Sequence, residues 1–226
     1  MAASPTTPAE ALSSSSSGIK YPDRQSIAGS ASRNVPILVS ELSPLVRPGC
    51  HILEIAAGHG LLTASLAKEC SSVQDVSWEA READEELVRK IGEQCAAMGV
   101  ENVEARAWDV HDQYEERGDF DLVIIANLLH IVPYATVERL FEKLGSSLVK
   151  KEKGAKVCIY GAFNEEGRFT SEGNEKFDGI LKARNPAYGL RDLESQIVPL
   201  AKANGLDLGE VRRLAAGNLL LIFERR

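Results

Sequence analysis

The residues whose types and spacing best suit a chemical role lie in one short segment, Glu54 to Gly60. Its sequence is Glu-Ile-Ala-Ala-Gly-His-Gly. The apolar run His51 to Ala56 predicts a buried strand, and the pattern from Leu61 to Glu69 predicts a helix. A strand, a glycine turn and a helix in this order are typical of nucleotide-binding loops. Gly58 and Gly60 would let the backbone turn tightly and approach a ligand. A glycine pair alone also fits an ordinary tight turn.

The charge of this segment favours a cationic ligand over a dinucleotide. Glu54 precedes Gly58 by four residues, and a carboxylate at that place would repel a pyrophosphate. The third glycine of a dinucleotide-binding motif is also absent, because its position is occupied by Thr63. S-adenosylmethionine carries a positive sulfonium and a positive amino group, so it suits such a loop. An NAD-dependent oxidoreductase is the weaker alternative.

Two glutamates stand where a ribose-binding residue is expected. Glu79 and Glu82 lie 19 and 22 residues after Gly60, close to the usual spacing of about 20 residues. The run Val73 to Trp78 predicts the second strand, which would place both carboxylates just past its end. The spacing does not decide which of the two binds the ribose.

Two further polar residues follow later strands. Asp109, in the segment Trp108-Asp109-Val110, could accept a hydrogen bond from an adenine amino group, or could equally cap a turn. Asn127 follows the most apolar strand. Ligands bind at the carboxyl ends of the strands in open α/β sheets, so these residues are expected to converge on one crevice.

The elements that position these residues alternate between strand and helix, which predicts an α/β fold. We expect a Rossmann-like seven-stranded sheet, mostly parallel with an antiparallel C-terminal strand, and helices on both faces. The predicted strands are His51–Ala56, Val73–Trp78, Val103–Ala107, Phe120–Ala126, Lys156–Tyr160, Leu208–Leu214 and Leu219–Phe223. The predicted helices are Val35–Leu45, Leu61–Glu69, Asp84–Met98, Thr136–Leu148 and Asp192–Asn204.

Composition sets the limits of the domain and of its partners. Residues 1–30 are rich in Ser, Thr, Pro and Ala, which predicts a disordered tail before a single domain over residues 31–226. The net charge of −7 argues against a nucleic-acid partner. No apolar run is long enough for a membrane span, and the four scattered cysteines indicate neither a zinc site nor disulfides. A cytoplasmic enzyme without a metal is the expectation.

Catalytic and substrate residues are expected around the later strands. His130 lies three residues after Asn127 and is the candidate base, although a histidine bonded to backbone at a helix start fits slightly better. The irregular insert of about residues 161–190 combines polar and aromatic side chains and is interpreted as a lid or substrate wall, against the alternative of a loop packed for stability. Its candidate substrate residues, with the end of the preceding strand, are Tyr160, Asn164, Arg168, Asn174 and Tyr188.

The sequence also resembles a known family, the DUF938 or methyltransferase-like protein 26 family, within the class I methyltransferases. The matching segments are Ser32-Arg-Asn34, Glu54–Gly60, Asn127–Ile131, Tyr160–Asn164, Gly167–Ser171, Arg184–Asp192 and Asn218-Leu219. The chain departs from the family pattern at Leu61-Leu62, where Gln-His is usual, and at Ala80-Arg81, where Pro-Ser is usual. The resemblance implies S-adenosylmethionine as cofactor, and the segment that begins at Trp78 aligns Glu82 with the family's acidic position. Arg33 and Asn34, just before the first helix, could reach the cofactor carboxylate or could cap that helix. The candidate cofactor-binding residues are thus Arg33, Asn34, Glu54, Ala56, Gly58, Gly60, Glu79, Glu82, Asp109, Val110 and Asn127.

The sequence therefore predicts an S-adenosylmethionine-dependent methyltransferase with an unidentified, small-molecule acceptor. Two alternatives stay open: an enzyme of the same fold that catalyses cyclisation or isomerisation, and a non-catalytic binding module. Product mass separates the first alternative from methyl transfer, and failure to bind the cofactor would favour the second. The sequence predicts no oligomeric state.

Overall fold

The computed structural model describes residues 30–112 and 118–226. Their helices are α1 Ser30–Leu42, α2 Leu61–Glu69, α3 Glu85–Met98, α4 Tyr134–Lys143, α5 Glu172–Arg184 and α6 Val198–Ala203. Their strands are β1 His51–Ile55, β2 Ser77–Glu82, β3 Val103–Ala107, β4 Leu122–Ala126, β5 Lys156–Glu165, β6 Arg168–Phe169, β7 Arg191–Asp192, β8 Leu206–Arg213 and β9 Asn218–Arg225. The predicted disordered tail lies outside the described residues, apart from Ser30, where α1 begins.

The main sheet has the strand order β3-β2-β1-β4-β5-β9-β8. The strands β3, β2, β1, β4 and β5 pair in parallel, and β9 runs antiparallel to both β5 and β8. The short strands β6 and β7 pair with the far end of β5. The predicted fold class, a mostly parallel Rossmann-like sheet with an antiparallel C-terminal strand, is confirmed.

The core has two layers, one on each face of the sheet. On one face α1, α2 and α3 cover residues such as Ile52, Ile124 and Cys158. On the other face α4 and α6 cover residues such as Val123 and Ile159. Strand β4 is buried on both faces over most of its length, which is why it reads as a continuous apolar run rather than an alternating one.

The residues that flank α3, Asp84 and Gly99, cap the helix at its two ends. The Asp84 side chain caps the helix by accepting from the Glu86 backbone N–H at 2.8 Å. Gly99 directly follows the last residue of the helix, and its φ of 70° lies in the left-handed region that glycine tolerates. Asp84 thus fixes the point at which the chain leaves β2 and enters α3, and Gly99 fixes the point at which it leaves α3. Helix α3 packs against α2.

The predicted position of the second strand is wrong by four residues. The strand is Ser77–Glu82, not Val73–Trp78, so Glu79 lies inside it and not beyond its end. Trp78 and Ala80 point into the core, whereas Glu79 and Arg81 point to the other face, where they form an ion pair. Alternation of buried and exposed side chains with a period of two residues is typical of a strand. In β2 the charged residues of one face interrupt the apolar run, so a search for apolar runs does not find this strand.

The insert is more regular than the sequence suggests. Strand β5 continues to Glu165 instead of ending at Tyr160, and the insert contains the 13-residue helix α5. Ser171 caps this helix by accepting from the Asn174 backbone N–H at 3.1 Å. The apolar pattern of α5 is weak because it buries only Leu181 and two polar residues, Asn174 and Asp178. The sequence of α5 therefore shows no clear apolar pattern with a helical period.

Candidate active site

The candidate site lies at the carboxyl edge of the parallel strands, where the strand order reverses. Ala56, Glu82, Asp109 and Asn127 lie at or just after the ends of β1, β2, β3 and β4, which are neighbours in the sheet. Ala56 and Asn127 have φ angles of 56° and 57°. A side-chain-bearing residue pays about 1–2 kcal/mol for this left-handed conformation. Two such residues on the adjacent strands β1 and β4 mark the switch point at which open α/β sheets bind ligands.

The two glycines of the loop after β1 have different roles. Gly60 has a φ of 75°, and a Cβ atom there would lie 2.9 Å from Ile91 Cγ2 and 3.0 Å from Ile91 Cα. Gly60 is therefore required by the close packing of α2 against α3. Gly58 has a φ of 58°, and a Cβ atom there would meet no protein atom within 4 Å. The space beside Gly58 is thus open to a ligand.

Glu54 is the buried acidic group of the site. Its side chain is 5% exposed and accepts hydrogen bonds from the hydroxyl and the backbone N–H of Thr63, in the first turn of α2. Burial raises the pKa of Glu54 from 4.5 to about 7. The bonds from Thr63 oppose this rise and the charge of Glu82 adds to it. Near neutral pH the carboxyl group is therefore poised between its neutral and ionised forms.

Glu82 and Glu79 differ in position, and only Glu82 faces the crevice. Glu82 ends β2 beside the loop after β1, and burial, followed by the charge of Asp84, raises its pKa to about 7. Glu79 lies in the middle of β2, bonded to Arg81 Nε at 2.5 Å. With Arg81 it lines a cavity of about 460 Å³ on the other face of the sheet. Glu82 is therefore the better placed of the two for a ligand of the crevice, and its binding of a ribose stays a prediction.

Asp109 shapes the turn after β3. Its Oδ1 accepts from the His111 backbone N–H at 2.9 Å, and its own N–H donates to Asp112 Oδ2 at 3.0 Å. Asp109 therefore caps this turn, as one of the two sequence interpretations has it. Adenine recognition by Asp109 remains a prediction. Val110 is buried, whereas the His111 ring lies 3.1 Å from Thr136 Oγ1. The turn is therefore anchored to the start of α4.

The candidate residues of α1 lie at its beginning. Arg33 is exposed and Asn34 is half-buried, while Leu38 and Leu42 on the same helix enter the core. Helix α1 packs against α2, the helix that follows the glycine loop. Arg33 and Asn34 therefore stay available to a ligand of that loop, and their contact with a cofactor carboxylate stays a prediction.

His130 is enclosed by the ends of β4 and β5 and by α5. It is 4% exposed, and its ring meets the Phe177 ring edge to face, with centroids 5.1 Å apart. A Cβ atom on Gly161 would lie 3.4 Å from His130 Nδ1, so the backbone of this glycine borders the imidazole. Burial, and secondly the charge of Arg191, lowers the pKa of His130 to about 4. The imidazole is therefore neutral throughout the physiological range.

The insert forms a packed wall. Asn174 donates to Thr170 Oγ1 at 2.7 Å and to the Gly217 carbonyl at 3.0 Å, which ties α5 to the turn between β8 and β9. Tyr188 is buried in a small apolar cluster with Leu181 and Leu190. These contacts give Asn174 and Tyr188 a packing role, and their contact with substrate stays a prediction.

The other three candidate substrate residues have different surroundings. Tyr160 is buried, and its hydroxyl accepts from Asn218 Nδ2 at 2.8 Å. Asn164 Oδ1 is buried without a hydrogen-bond partner, which is costly for an acceptor unless a ligand or water donates to it. Arg168 is exposed on β6. Of these three residues, Asn164 is the one whose side chain has a buried acceptor available for a hydrogen bond from a ligand.

Sequence reasoning did not identify Thr63 and Arg191 as functional residues. Thr63 was considered only as the missing third glycine, although its place in the first turn of α2, nine residues after Glu54, was a usable signal. Arg191 is not among the candidate substrate residues that the sequence indicates. Its bonds to the loop after β4 connect positions about 60 residues apart, and no local pattern reveals such contacts.

The site as a whole offers acidic and neutral polar groups. In the part of the chain that the structure describes, no three His, Cys, Asp or Glu side chains are grouped to hold a metal. No helix among these residues is both long and apolar enough to cross a membrane. The arrangement suits a positively charged, hydroxyl-bearing ligand over Glu54 and Glu82, with a second molecule next to His130.

A family model matches residues 25–225 of the chain, with the description "Protein of unknown function (DUF938)". This range covers most of the sequence and includes all the residues of the candidate site. The match agrees with the resemblance drawn from the sequence motifs.

Solved structures share the fold at low sequence identity. An O-methyltransferase family protein from Burkholderia thailandensis matches with a TM-score of 0.70 and 19% identity, over 86% of this chain and 56% of its own. The S-adenosylmethionine-dependent methyltransferase SibL matches with 0.66 and 18%, over 86% and 55%. A structure described as a pericyclic reaction enzyme matches with 0.64 and 13%, over 79% and 44%. The chain spans about half the length of these proteins.

Proposed function

The chain belongs to the DUF938 family, and we propose that it is an S-adenosylmethionine-dependent methyltransferase with a small-molecule acceptor. The observation that carries the proposal is the pair Glu54 and Glu82 beside the open glycine Gly58, at the switch point of the sheet. Two carboxylates at this place would repel a dinucleotide pyrophosphate and attract a cation. The shared fold with a protein described as S-adenosylmethionine-dependent supports the same ligand.

The donor and acceptor groups of the crevice fit the cofactor. Glu82 would accept from the ribose hydroxyls, Asp109 and Val110 would lie beside the adenine, and Glu54 would balance the positive charge of the amino acid part. The backbone at Ala56, Gly58 and Asn127 would line the space between. When bound, S-adenosylmethionine supplies an electrophilic methyl group on a positively charged sulfur.

The acceptor would be bound between the edge of the sheet and the insert. His130, neutral because of its low pKa, can accept a hydrogen bond from an acceptor hydroxyl or amine and orient its lone pair. Asn164 Oδ1 offers a second acceptor for a substrate donor. Holding both reactants in line supplies effective molarities of about 10⁵ M or more. The packed insert, which confines the edge near β5, favours a small molecule over a polymer.

The proposal is tested by calorimetry with S-adenosylmethionine and S-adenosylhomocysteine. Wild type is expected to bind both, and Gly58→Val is expected to abolish binding because its side chain fills the ligand space. Gly49→Val is the matched control, since Gly49 also has a positive φ, of 76°, and no neighbour within 4 Å. Both substitutions carry a strain of about 1–2 kcal/mol, but Gly49 lies before β1, at the opposite end of that strand.

Each result of this measurement has a clear meaning. Loss of binding in Gly58→Val with retention in Gly49→Val would support a cofactor site at the glycine loop. No binding by folded wild type would reject the methyltransferase proposal and favour a binding module. Equal affinity in all three proteins would place the ligand away from this loop.

Replacement of His130 by glutamine is expected to reduce turnover while cofactor affinity stays unchanged. The loss of kcat should be about 10- to 100-fold, because the imidazole orients the acceptor, whereas a group with a pKa near 4 is too weak a base to supply the full effect of general-base catalysis. Because the pKa of His130 is about 4, wild-type activity should show no loss attributable to this group between pH 6 and 5. An acid limb with a midpoint near 6.5 that disappears in His130→Gln would contradict the neutral assignment.

A second function is favoured by one of the structural neighbours. The pericyclic reaction enzyme shares the fold, so this architecture also occurs in a protein described by non-methylating chemistry. In that case a bound sulfonium would act as a fixed positive charge that stabilises a transition state. Mass spectrometry of the product separates the two functions, because methyl transfer adds a methyl group to the acceptor and a rearrangement adds nothing.

A further inference from the structure

Arg191 joins two parts of the structure that lie far apart in the sequence. It is 8% exposed and directly precedes Asp192, the N-cap of the following turn. Its Nε donates to the Leu129 carbonyl at 3.1 Å, and its Nη2 donates to the Val132 carbonyl at 2.6 Å and to the Ala187 carbonyl at 3.1 Å. One buried guanidinium thus ties the loop after β4 to the end of the insert. The planar fork of an arginine donates from two nitrogens in fixed directions, which the ammonium group of a lysine on its flexible stem does not reproduce.

His130 lies between the two loop residues whose carbonyls accept from Arg191. Its own carbonyl accepts from the Gly189 N–H at 3.1 Å, so the insert holds the backbone of His130 as well. The ring is then confined by Phe177 on α5 and by the bare backbone of Gly161 on β5. The imidazole therefore lies on a loop that Arg191 bonds on both sides, and side chains and backbone of α5, β5 and the insert enclose it.

We propose that Arg191 is the positioning residue of His130: it fixes the loop that carries the imidazole and places a permanent positive charge beside it. The consequence for turnover rests on the function proposed above, whereas the consequence for the imidazole does not. Arg191 itself need not touch the substrate, because all three of its bonds go to backbone carbonyls. Its effect on the reaction would pass through His130.

The charges around this pair are consistent with the role. After burial, the charge of Arg191 is the second cause of the low pKa of His130. The Arg191 guanidinium lies 5.6 Å from the centre of the Tyr134 ring on α4, and Asp178 on α5 adds a negative charge nearby. Burial lowers the pKa of Arg191 and these two groups oppose that effect, so the guanidinium stays charged.

The test compares Arg191→Met and Arg191→Lys with Arg184→Met, an exposed arginine at the end of α5. The imidazole signals of the four histidines are followed by NMR against pH, and His130→Gln identifies the signal of His130. In wild type and Arg184→Met the midpoint for His130 is expected near 4. In Arg191→Met it should rise by about one pH unit because a like charge is lost, whereas Arg191→Lys keeps the charge and the low midpoint.

Turnover provides the second readout. Both Arg191 variants should lose about 10- to 100-fold in kcat through displacement of the ring, with cofactor affinity unchanged. An unchanged His130 midpoint in Arg191→Met, or wild-type kcat in Arg191→Lys, would overturn the positioning role. Arg191→Lys decides the question if Arg191→Met does not fold. A shifted midpoint in a protein whose wild type transfers no methyl group would support the positioning role and reject the proposed function.

Discussion

Replacing Glu82 with alanine should weaken S-adenosylmethionine binding by about 100-fold or more, as measured by calorimetry. Glu82 ends β2 at the crevice, where its carboxylate can accept from both ribose hydroxyls. Hydrogen bonds to a charged group contribute about 1.5–3 kcal/mol each, and a 100-fold loss corresponds to about 2.7 kcal/mol. The loss should appear equally with S-adenosylhomocysteine, because the two molecules have the same ribose.

Glu79→Gln is the matched control for this prediction. Glu79 lies on the same strand, three positions before Glu82, but its carboxylate pairs with Arg81 on the other face of the sheet. Its replacement should leave cofactor affinity within about threefold. It should lower the melting temperature, since Arg81 is 2% exposed and loses a charged partner. If Glu79→Gln lost binding and Glu82→Ala did not, the assignment of the ribose site would be reversed.

Cofactor binding near neutral pH should release protons. Burial raises the pKa values of Glu54 and Glu82 to about 7 in the free protein, so each carboxyl group is about half protonated there. A cationic ligand favours the ionised forms. Affinity should therefore increase as the pH rises from 5.5 to 7.5, by up to about tenfold per pH unit for each proton released. Calorimetry in buffers of different ionisation enthalpy counts these protons directly.

The same carboxyl groups should make the free protein less stable as the pH rises. The folded-state pKa of Glu54 lies above its ordinary value of 4.5, so the folded protein holds a proton that the unfolded chain loses. This contribution is fully present below pH 4.5 and is lost as the pH rises towards 7. For Glu54 it amounts to about 3 kcal/mol of unfolding free energy, as an order of magnitude.

The variant Glu54→Gln shows how much Glu54 contributes to the proton release on binding and to the loss of stability with rising pH. The variant keeps an acceptor for Thr63 but has no proton to release, so the number of protons released on binding should decrease. The difference in unfolding free energy between wild type and Glu54→Gln, taken from urea denaturation, should change between pH 4.5 and 7. A constant difference over that range, or an unchanged proton count, would show that Glu54 does not titrate near 7.

Local pattern was enough to predict the elements that frame the glycine loop. Helix α2 and strand β3 have the predicted bounds, and α3 begins one residue later than predicted, because Asp84 is its cap. The apolar strand β4, buried on both faces, was equally clear. The fold class followed from these elements, because alternating strands and helices pack well only as a mostly parallel sheet with helices on both faces.

Elements whose stability comes from distant contacts were harder to predict. Strand β2 was misplaced because one of its faces carries Glu79 and Arg81, which pair with each other, while the rings of Trp108 and Phe120 lie against Arg81 from outside the strand. Helix α5 was missed because polar side chains such as Asn174 and Asp178 anchor it through bonds to Gly217 and Leu190. Such bonds leave no period in the local sequence.

The sequence by itself determined the strand–glycine–helix unit, the acidic residues near it and the alternation that brings strand ends to one edge. Each of these depends on neighbours within about 20 residues, so local chemistry suffices to predict it. Only the tertiary structure decided that Glu82 and not Glu79 faces the crevice, that Thr63 bonds Glu54, and that Arg191 holds the loop of His130. These outcomes depend on which face of an element is buried and on contacts across the sheet, and burial alone shifts the pKa values that give the site its chemistry.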